Sequence, residues 1–312
     1  MSSVKEIEGR SKTQVDEQRI EQFANTHRLP KAFLSIAAQY YQPLARQIAK
    51  HTIEDGLRLL GICGAQGTGK STLAAFVAQF LTQEFGLTVV CLSLDDFYLR
   101  KSERLNLASS THPLLATRGV PGTHDIQLAN TVINSLLAGN HVQIPRFDKS
   151  IDDRAEVEQF DISDGQVDLV VLEGWCVGAK VQQDEVLLDP INELERIEDP
   201  DGKWRTYVNQ ALGSDYTKLY SKLDYLVFLQ APSLECVYEW RGEQEKKLRD
   251  KVGDRFGEMT PVDLQRFIMH YERITRDCLA ILPIIADAVM SLNPGHGVES
   301  LTYKRSSKSD QK

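Results

Sequence analysis

The eight residues Gly64-Ala65-Gln66-Gly67-Thr68-Gly69-Lys70-Ser71 constrain this chain more than any other stretch. They fit G-x-x-x-x-G-K-[ST], a pattern whose spacing has a physical reason. Glycines at 64, 67 and 69 permit backbone angles that side chains forbid, so successive N–H groups can turn toward one anion. The lysine can reach terminal phosphates, the serine hydroxyl can sit on Mg²⁺, and the helix that follows adds the positive end of its dipole. The flanks agree. Residues 57–63 (LRLLGIC) are short and apolar enough for a buried parallel strand. Residues 71–85 set Leu73, Phe76, Val77, Phe80 and Leu81 on one helical face. A phosphate-binding loop on such a strand–helix unit implies ATP or GTP.

The remaining apolar runs place other groups near that loop. Residues 87–94 (LTVVCLSL) predict a strand running into Asp95 and Asp96. Ligands of an open α/β sheet collect at the carboxyl ends of its strands, so both carboxylates should lie near the loop if the two strands are neighbours. Either could accept a hydroxyl proton, hold Mg²⁺, or simply cap a turn. Residues 167–172 (VDLVVL) predict another strand, ending at Glu173, where a metal-organising acid would stand, while Asp168 falls at the wrong end. Residues 224–230 and 284–292 read as further strands. Helices are expected at 14–26, 31–54 (despite Pro43), 71–85, 126–137, 191–197, 204–212, 234–250 and 261–281. The fold class is therefore α/β: a P-loop NTPase-type parallel sheet with helices on both faces, an N-terminal helical extension and a helical lid or insertion. The division expected is an extension at 1–55, a nucleotide-binding domain at 56–300 with insertion and lid helices at about 181–250, and a disordered tail at 301–312.

Loops supply the other polar candidates. Residues 100–116 are polar and read as irregular. The constrained loop 118–125 offers Arg118 and His124 to an anionic substrate, and Thr123 or Asp125 as a helix cap. Residues 147–154 are charged with little periodicity, which suits a solvated loop and a substrate contact equally. The mixed charges of 240–249 suit a solvated helix face or a lid that closes cations over a phosphate.

Composition narrows the class. The net charge of −8 gives no field for nucleic acid or an anionic membrane. No stretch approaches the roughly 18 consecutive apolar residues of a membrane-spanning helix. Residues 1–10 lack a signal peptide's apolar core. Five scattered cysteines form no C-x-x-C pair and read as reduced thiols of a cytoplasmic protein. G-x-S-x-G is absent, as are the H-R-D and D-F-G signatures of protein kinases.

The loop at 64–71, Asp95-Asp96-Phe97-Tyr98, the segment 118–125 and Val171-Leu172-Glu173-Gly174-Trp175 together resemble the phosphoribulokinase, uridine kinase and pantothenate kinase superfamily. Pro145-Arg146-Phe147-Asp148-Lys149-Ser150, the run 173–178, and Trp240-Arg241 with Gln244-Glu245 narrow the resemblance to the plant- and fungal-type D-glycerate 3-kinases. The resemblance implies a small-molecule kinase that moves the γ-phosphate of ATP, with Mg²⁺, to the 3-hydroxyl of D-glycerate. It implies Asp95 as the base, with Lys70 and Arg241 stabilising the transferring charge. Gly64, Ala65, Gln66, Gly67, Thr68, Gly69, Lys70, Ser71 and Thr72 would bind the nucleotide, and Ser71 with Glu173 the metal. Asp96, Tyr98, Arg118, His124, Arg146 and Lys149 would face the acceptor. This chain has only Ile151-Asp152 where relatives usually carry a longer glycine-containing segment, which leaves Asp153 and Arg154 without an assigned role. Two other readings stay open: a kinase of another small alcohol, such as a nucleoside or pantothenate-like acceptor, and a nucleotide-dependent binding or regulatory protein. Arg118, Arg146, Lys149 and Arg154 favour an acidic acceptor.

Overall fold

The computed structural model describes residues 12–252 and 260–304, except for the side chains of 12–14, 245–252 and 261. Helix α1 (Lys12–Thr26) leads into a long helix whose last α-helical stretch is α2 (Gln42–Lys50). That helix starts at Ala32–Ile36 and passes through a π turn at Ala37–Tyr41. The π turn ends two residues before Pro43, whose missing N–H would break a regular ladder.

Strand β1 (Leu59–Gly64) delivers the phosphate-type loop, and α3 (Lys70–Phe85) follows it. Gly86, in left-handed conformation, ends α3 by donating its N–H to the Thr82 carbonyl at 3.1 Å. Next come β2 (Val89–Ser93), α4 (Lys101–Ser110) and α5 (Ile126–Leu137). The short strands β3 (Val142–Ile144), β4 (Phe147–Asp148), β5 (Asp153–Arg154) and β6 (Asp161–Ser163) precede β7 (Leu169–Gly174). The chain continues through α6 (Glu193–Glu198), α7 (Lys203–Ala211), β8 (Tyr225–Gln230), α8 (Leu234–Val252), α9 (Pro261–Ile285), β9 (Ala288–Leu292) and β10 (Val298–Tyr303).

The main sheet has the order β10-β9-β8-β1-β7-β2, parallel except where β10 pairs antiparallel with β9. Strand periodicity divides its side chains between two cores. Leu59 and Cys63 of β1 join the core beneath α5, α7 and α9, while Leu60 and Ile62 join the core beneath α1, α2 and α3. The expected α/β class, with helices on both faces, is what the chain forms.

Several boundaries differ from expectation. β1 and β2 are not neighbours, because β7 lies between them. Residues 100–116 are not irregular: α4 occupies Lys101–Ser110, and Glu103 caps it by accepting the Arg100 N–H at 2.7 Å. Residues 147–154 form the β4–β5 hairpin. The range 181–250 is interrupted by β8, which lies inside the sheet. Leu301–Tyr303, expected in the tail, pair with β9, and residues 305–312 lie outside the described residues. The frayed segment expected before residue 12 lies outside them too, and the charged run at 240–249 can be followed in side-chain detail only to Gln244. Among the described residues no helix is long and apolar enough to cross a membrane.

Candidate functional site

A cavity of about 580 Å³ opens at the carboxyl ends of β1, β7 and β2. One wall is the loop between β1 and α3, from which Gln66, Gly67, Lys70 and Ser71 face it. Gly67 has φ 85°, and a Cβ there would stand 2.5 Å from Cβ of Trp240, so the loop has no room for a side chain on that side. Thr68 turns inward instead, its hydroxyl donating to the Ala65 carbonyl at 2.8 Å. Gly69, φ 84°, starts α3 and leaves Lys70 as its first residue. Gly64, Ala65, Thr68, Gly69 and Thr72 therefore shape the loop without lining the cavity.

β7 brings Glu173 between the loop and β2, where the register sets it beside Ile62 of β1 and Ser93 of β2. Glu173 is only 7% exposed. Its Oε1 accepts from the Ser71 hydroxyl at 3.0 Å, and its Oε2 is buried without a hydrogen-bond partner. A buried carboxylate oxygen with no donor costs free energy unless something positive reaches it. The Ser71–Glu173 pair beside Lys70 therefore fits a divalent cation. Among the described residues no three His, Cys, Asp or Glu side chains gather around a metal position. One hydroxyl and one carboxylate are donors that fit Mg²⁺, which takes one or two protein oxygens and completes its shell with water and substrate phosphates.

The opposite wall carries Asp95 and Tyr98, just beyond β2. The Tyr98 hydroxyl donates to Asp95 Oδ1 at 2.8 Å, and Lys149 Nζ donates to Oδ2 at 2.7 Å. Burial alone would raise the Asp95 pKa. The charges of Lys149 and Lys70 outweigh it and hold the carboxyl at about 2. Asp95 is thus ionised across the neutral range and is in contact with an ammonium that an incoming anion could attract away. Asp96 also lines the cavity, but both its oxygens are engaged, by Arg146 Nη1 at 2.6 Å and by the Phe147 N–H at 3.2 Å. Burial raises its pKa, and Arg146 opposes that.

Arg118 reaches the cavity from a tightly held loop. Its carbonyl accepts from the Tyr271 hydroxyl at 3.0 Å, and the next carbonyl, of Gly119, accepts from the Trp175 indole at 2.9 Å. Its guanidinium pairs with Asp152 and lies 5.4 Å from the Phe147 ring centre. Arg241 lies 5.1 Å from the centre of the Phe267 ring, on the same cavity.

Two residues expected to face the acceptor stand elsewhere. Arg146 does not line the cavity, because Asp96 and Asp161 hold its guanidinium. His124 lies one layer back, stacked on Tyr98 with ring centres 4.5 Å apart. Its Nδ1 is 2.6 Å from the Tyr216 hydroxyl, and it borders a separate hollow of about 530 Å³. Burial lowers its pKa to about 4, against a smaller upward pull from Asp95, so the ring is neutral at neutral pH. Asp153 and Arg154 fasten the hairpin: Asp153 accepts from the Lys101 N–H at 3.2 Å, and Arg154 donates to the Tyr98 carbonyl at 3.2 Å. Of the two candidate caps, Asp125 takes the role, accepting from Leu128 N–H at 2.9 Å.

Ser93, Phe267 and Tyr271 line the cavity although the sequence marked none of them. The only available signal for the two rings was their i, i+4 spacing on α9, which a plain core helix shares.

A nucleotide loop, a carboxylate across from its lysine, and cations between them define a P-loop phosphotransferase. Comparison with known proteins agrees. The chain is 36% identical over 222 residues to the uncharacterized kinase mug58 of Schizosaccharomyces pombe, covering 68% of this chain and 78% of that protein. It is 28% identical over 230 residues to the probable ATP-dependent kinase TDA10 of Saccharomyces cerevisiae, covering 67% and 73%. The D-glycerate 3-kinase from Cryptococcus neoformans shares the fold with a TM-score of 0.69, over 84% of this chain and 99% of that one, at 24% identity. No protein-family model matches the chain. The chain belongs to the family of mug58 and TDA10: it is a P-loop kinase that uses ATP and acts on a small molecule.

Proposed function

We propose that the chain phosphorylates the 3-hydroxyl of D-glycerate, giving 3-phosphoglycerate and ADP. The observation that carries this reading is one cavity in which Asp95 faces Lys70 while Arg118 and Lys149 provide cations for an acceptor carboxylate. The name of the structural neighbour from Cryptococcus supplies the particular acid. The free thiols of all five cysteines suit a reducing, cytoplasmic compartment.

The chemistry follows from the geometry. The loop and Lys70 hold the triphosphate, and Ser71 with Glu173 would hold Mg²⁺, which neutralises phosphate charge when bound. The acceptor carboxylate draws Lys149 from Asp95 and pairs with it and with Arg118. Asp95 then takes the hydroxyl proton as the acceptor oxygen bonds to the γ-phosphorus and the bond to the ADP oxygen breaks. Once Lys149 has left, Asp95 loses the contact that does most to keep its pKa low and becomes a better proton acceptor; because that transition state is loose, orientation still matters more than proton affinity. Arg241 stabilises the charge in transit.

The test is a panel of acceptors with Mg-ATP: D-glycerate, L-glycerate, uridine, pantothenate, ribulose 5-phosphate and none, with ADP and phosphorylated product both followed. Product from D-glycerate with the phosphate on O3 is expected. Tyr98, Phe267 and Tyr271 give the cavity aromatic walls that would also suit a flat acceptor, so product from uridine alone would replace the acid by a nucleoside. ADP release equal in every well, with no phosphorylated acceptor, would remove the transfer reading altogether.

A further inference from the structure

We propose that Arg104, on α4, is a positioning residue that sets the acceptor side of the cavity by tying three loops to one guanidinium. The proposal rests on the reading of that side as the acceptor site. Arg104 is 1% exposed and does not touch the cavity. A charge so buried is costly unless each donor finds an acceptor. Here Nε donates to the Leu99 carbonyl at 3.2 Å, Nη1 to the Ala116 carbonyl at 2.7 Å, and Nη2 to the Asp152 carbonyl at 2.7 Å. Nη2 also pairs with Asp152 Oδ1 at 2.9 Å.

These acceptors belong to three separate segments, and each segment carries a wall of the cavity. Leu99 follows Tyr98, which orients Asp95. Ala116 comes two residues before Arg118, and Asp152 three residues after Lys149. The planar guanidinium fixes the angles between its three partners, which an apolar side chain of equal volume would leave loose. Asp152 adds a second link. It holds a left-handed φ of 56°, unusual for a side chain other than glycine, and its Oδ1 pairs with both Arg104 and Arg118. An acceptor carboxylate can therefore recruit Arg118 without leaving Asp152 uncompensated, because Arg104 stays with it. The hairpin turn keeps its place while Arg118 moves.

The experiment compares wild type with Arg104→Lys, Arg104→Met and Asp152→Asn. Acceptor kcat/KM is expected to fall by about 10- to 100-fold in Arg104→Met, as for a roughly 1 Å misplacement of reacting groups. Acceptor KM should rise and the ATP dissociation constant should stay within about twofold. Arg104→Lys, which keeps the charge but not the fork, should recover only part of the loss. Amide hydrogen exchange supplies a readout that needs no acceptor. Segments 95–100, 114–120 and 147–154 should exchange faster in all three variants, while 64–80 should not. Asp152→Asn keeps a side chain that tolerates the left-handed region, and it decides the matter if the Arg104 variants do not fold. Unchanged exchange in the three segments, or equal loosening of the nucleotide loop with parallel loss of ATP affinity, would overturn the proposal. If wild type phosphorylates no acid, the functional reading fails separately and the exchange pattern alone judges Arg104.

Discussion

Replacing Asp95 by asparagine separates chemistry from folding and binding, because the structure assigns each effect its own size. Asparagine keeps the shape, and its Oδ1 can still accept from the Tyr98 hydroxyl, now 2.8 Å from Asp95 Oδ1. The substitution breaks the 2.7 Å ion pair with Lys149, whose side chain is 60% exposed. The Asp95 side chain is 30% exposed, so the pair is only partly in solvent; it contributes about 1 kcal/mol, and the melting temperature should drop by about 2–4 °C. Nucleotide affinity should hold or improve, because Lys70, close enough to help lower the Asp95 pKa, is freed from a competing negative charge. The rate is a different matter. A positioned general base contributes roughly 10²- to 10⁴-fold, or about 3–5 kcal/mol of barrier. The assay is coupled ADP release at saturating acceptor, with calorimetric ATP binding and a thermal melt on the same preparation. A kcat within about fivefold of wild type would refute Asp95 as the base. A kcat that falls only in step with weakened ATP binding would move the damage to the nucleotide loop.

Three further outcomes follow from the same geometry. Glu173→Gln should raise the Mg²⁺ concentration needed for half-maximal rate by about 10- to 100-fold, read by Mg²⁺ titration at fixed ATP, because it alters the buried oxygens beside Ser71. Lys149→Met should move the acid limb of the kcat/KM profile upward, since that profile reports the free enzyme, in which Lys149 contacts Asp95. Asp95 is lowered to about 2, so its charged form is kept until pH falls through that value; without Lys149, burial pushes the pKa up and protonation sets in at higher pH, as a pH–rate series from about pH 4 would show. Arg273→Met should cost about 3–5 kcal/mol in a denaturant melt, since it leaves the fully buried Glu195 without its cation and with only the Ile191 N–H at 3.0 Å; Glu195 now accepts from Arg273 at 2.8 and 2.6 Å and joins α6 to α9.

What the sequence disclosed, and what it hid, follows from how each element is specified. The nucleotide loop was legible because its backbone demands glycine at fixed positions: the φ of 85° at Gly67 and 84° at Gly69 belong to the local chain. Asp95 and Glu173 were legible because an apolar run stops abruptly at a carboxylate. The order of the strands was not, since β7, distant in sequence, enters between β1 and β2, and no single strand's residues record its neighbours. Asp95 still faces Lys70, but across Glu173 rather than from an adjacent strand.

The harder cases are those in which a local pattern has two spatial meanings. α4 has almost no apolar face. Leu105 is 53% exposed, and the side chain it buries is an arginine, so hydrophobic periodicity passes over it. β10 is an edge strand in which Val298 alone is buried, and its alternation is too weak to distinguish from a polar tail. His124 shares a short loop with Arg118, and only the structure shows that the loop turns the two apart, Arg118 toward the cavity and the ring behind Tyr98. Each of these depends on the same fact. The cavity wall facing the nucleotide loop is built from segments that approach one another only after folding, and Arg104, which bonds to three of them, carries no motif because its partners are mostly backbone carbonyls. A backbone acceptor is present at every residue, so nothing in the sequence of the partner segment marks the contact. The nucleotide loop of this chain can therefore be read from a few letters, while the ties that hold the facing wall together become visible only in the folded chain.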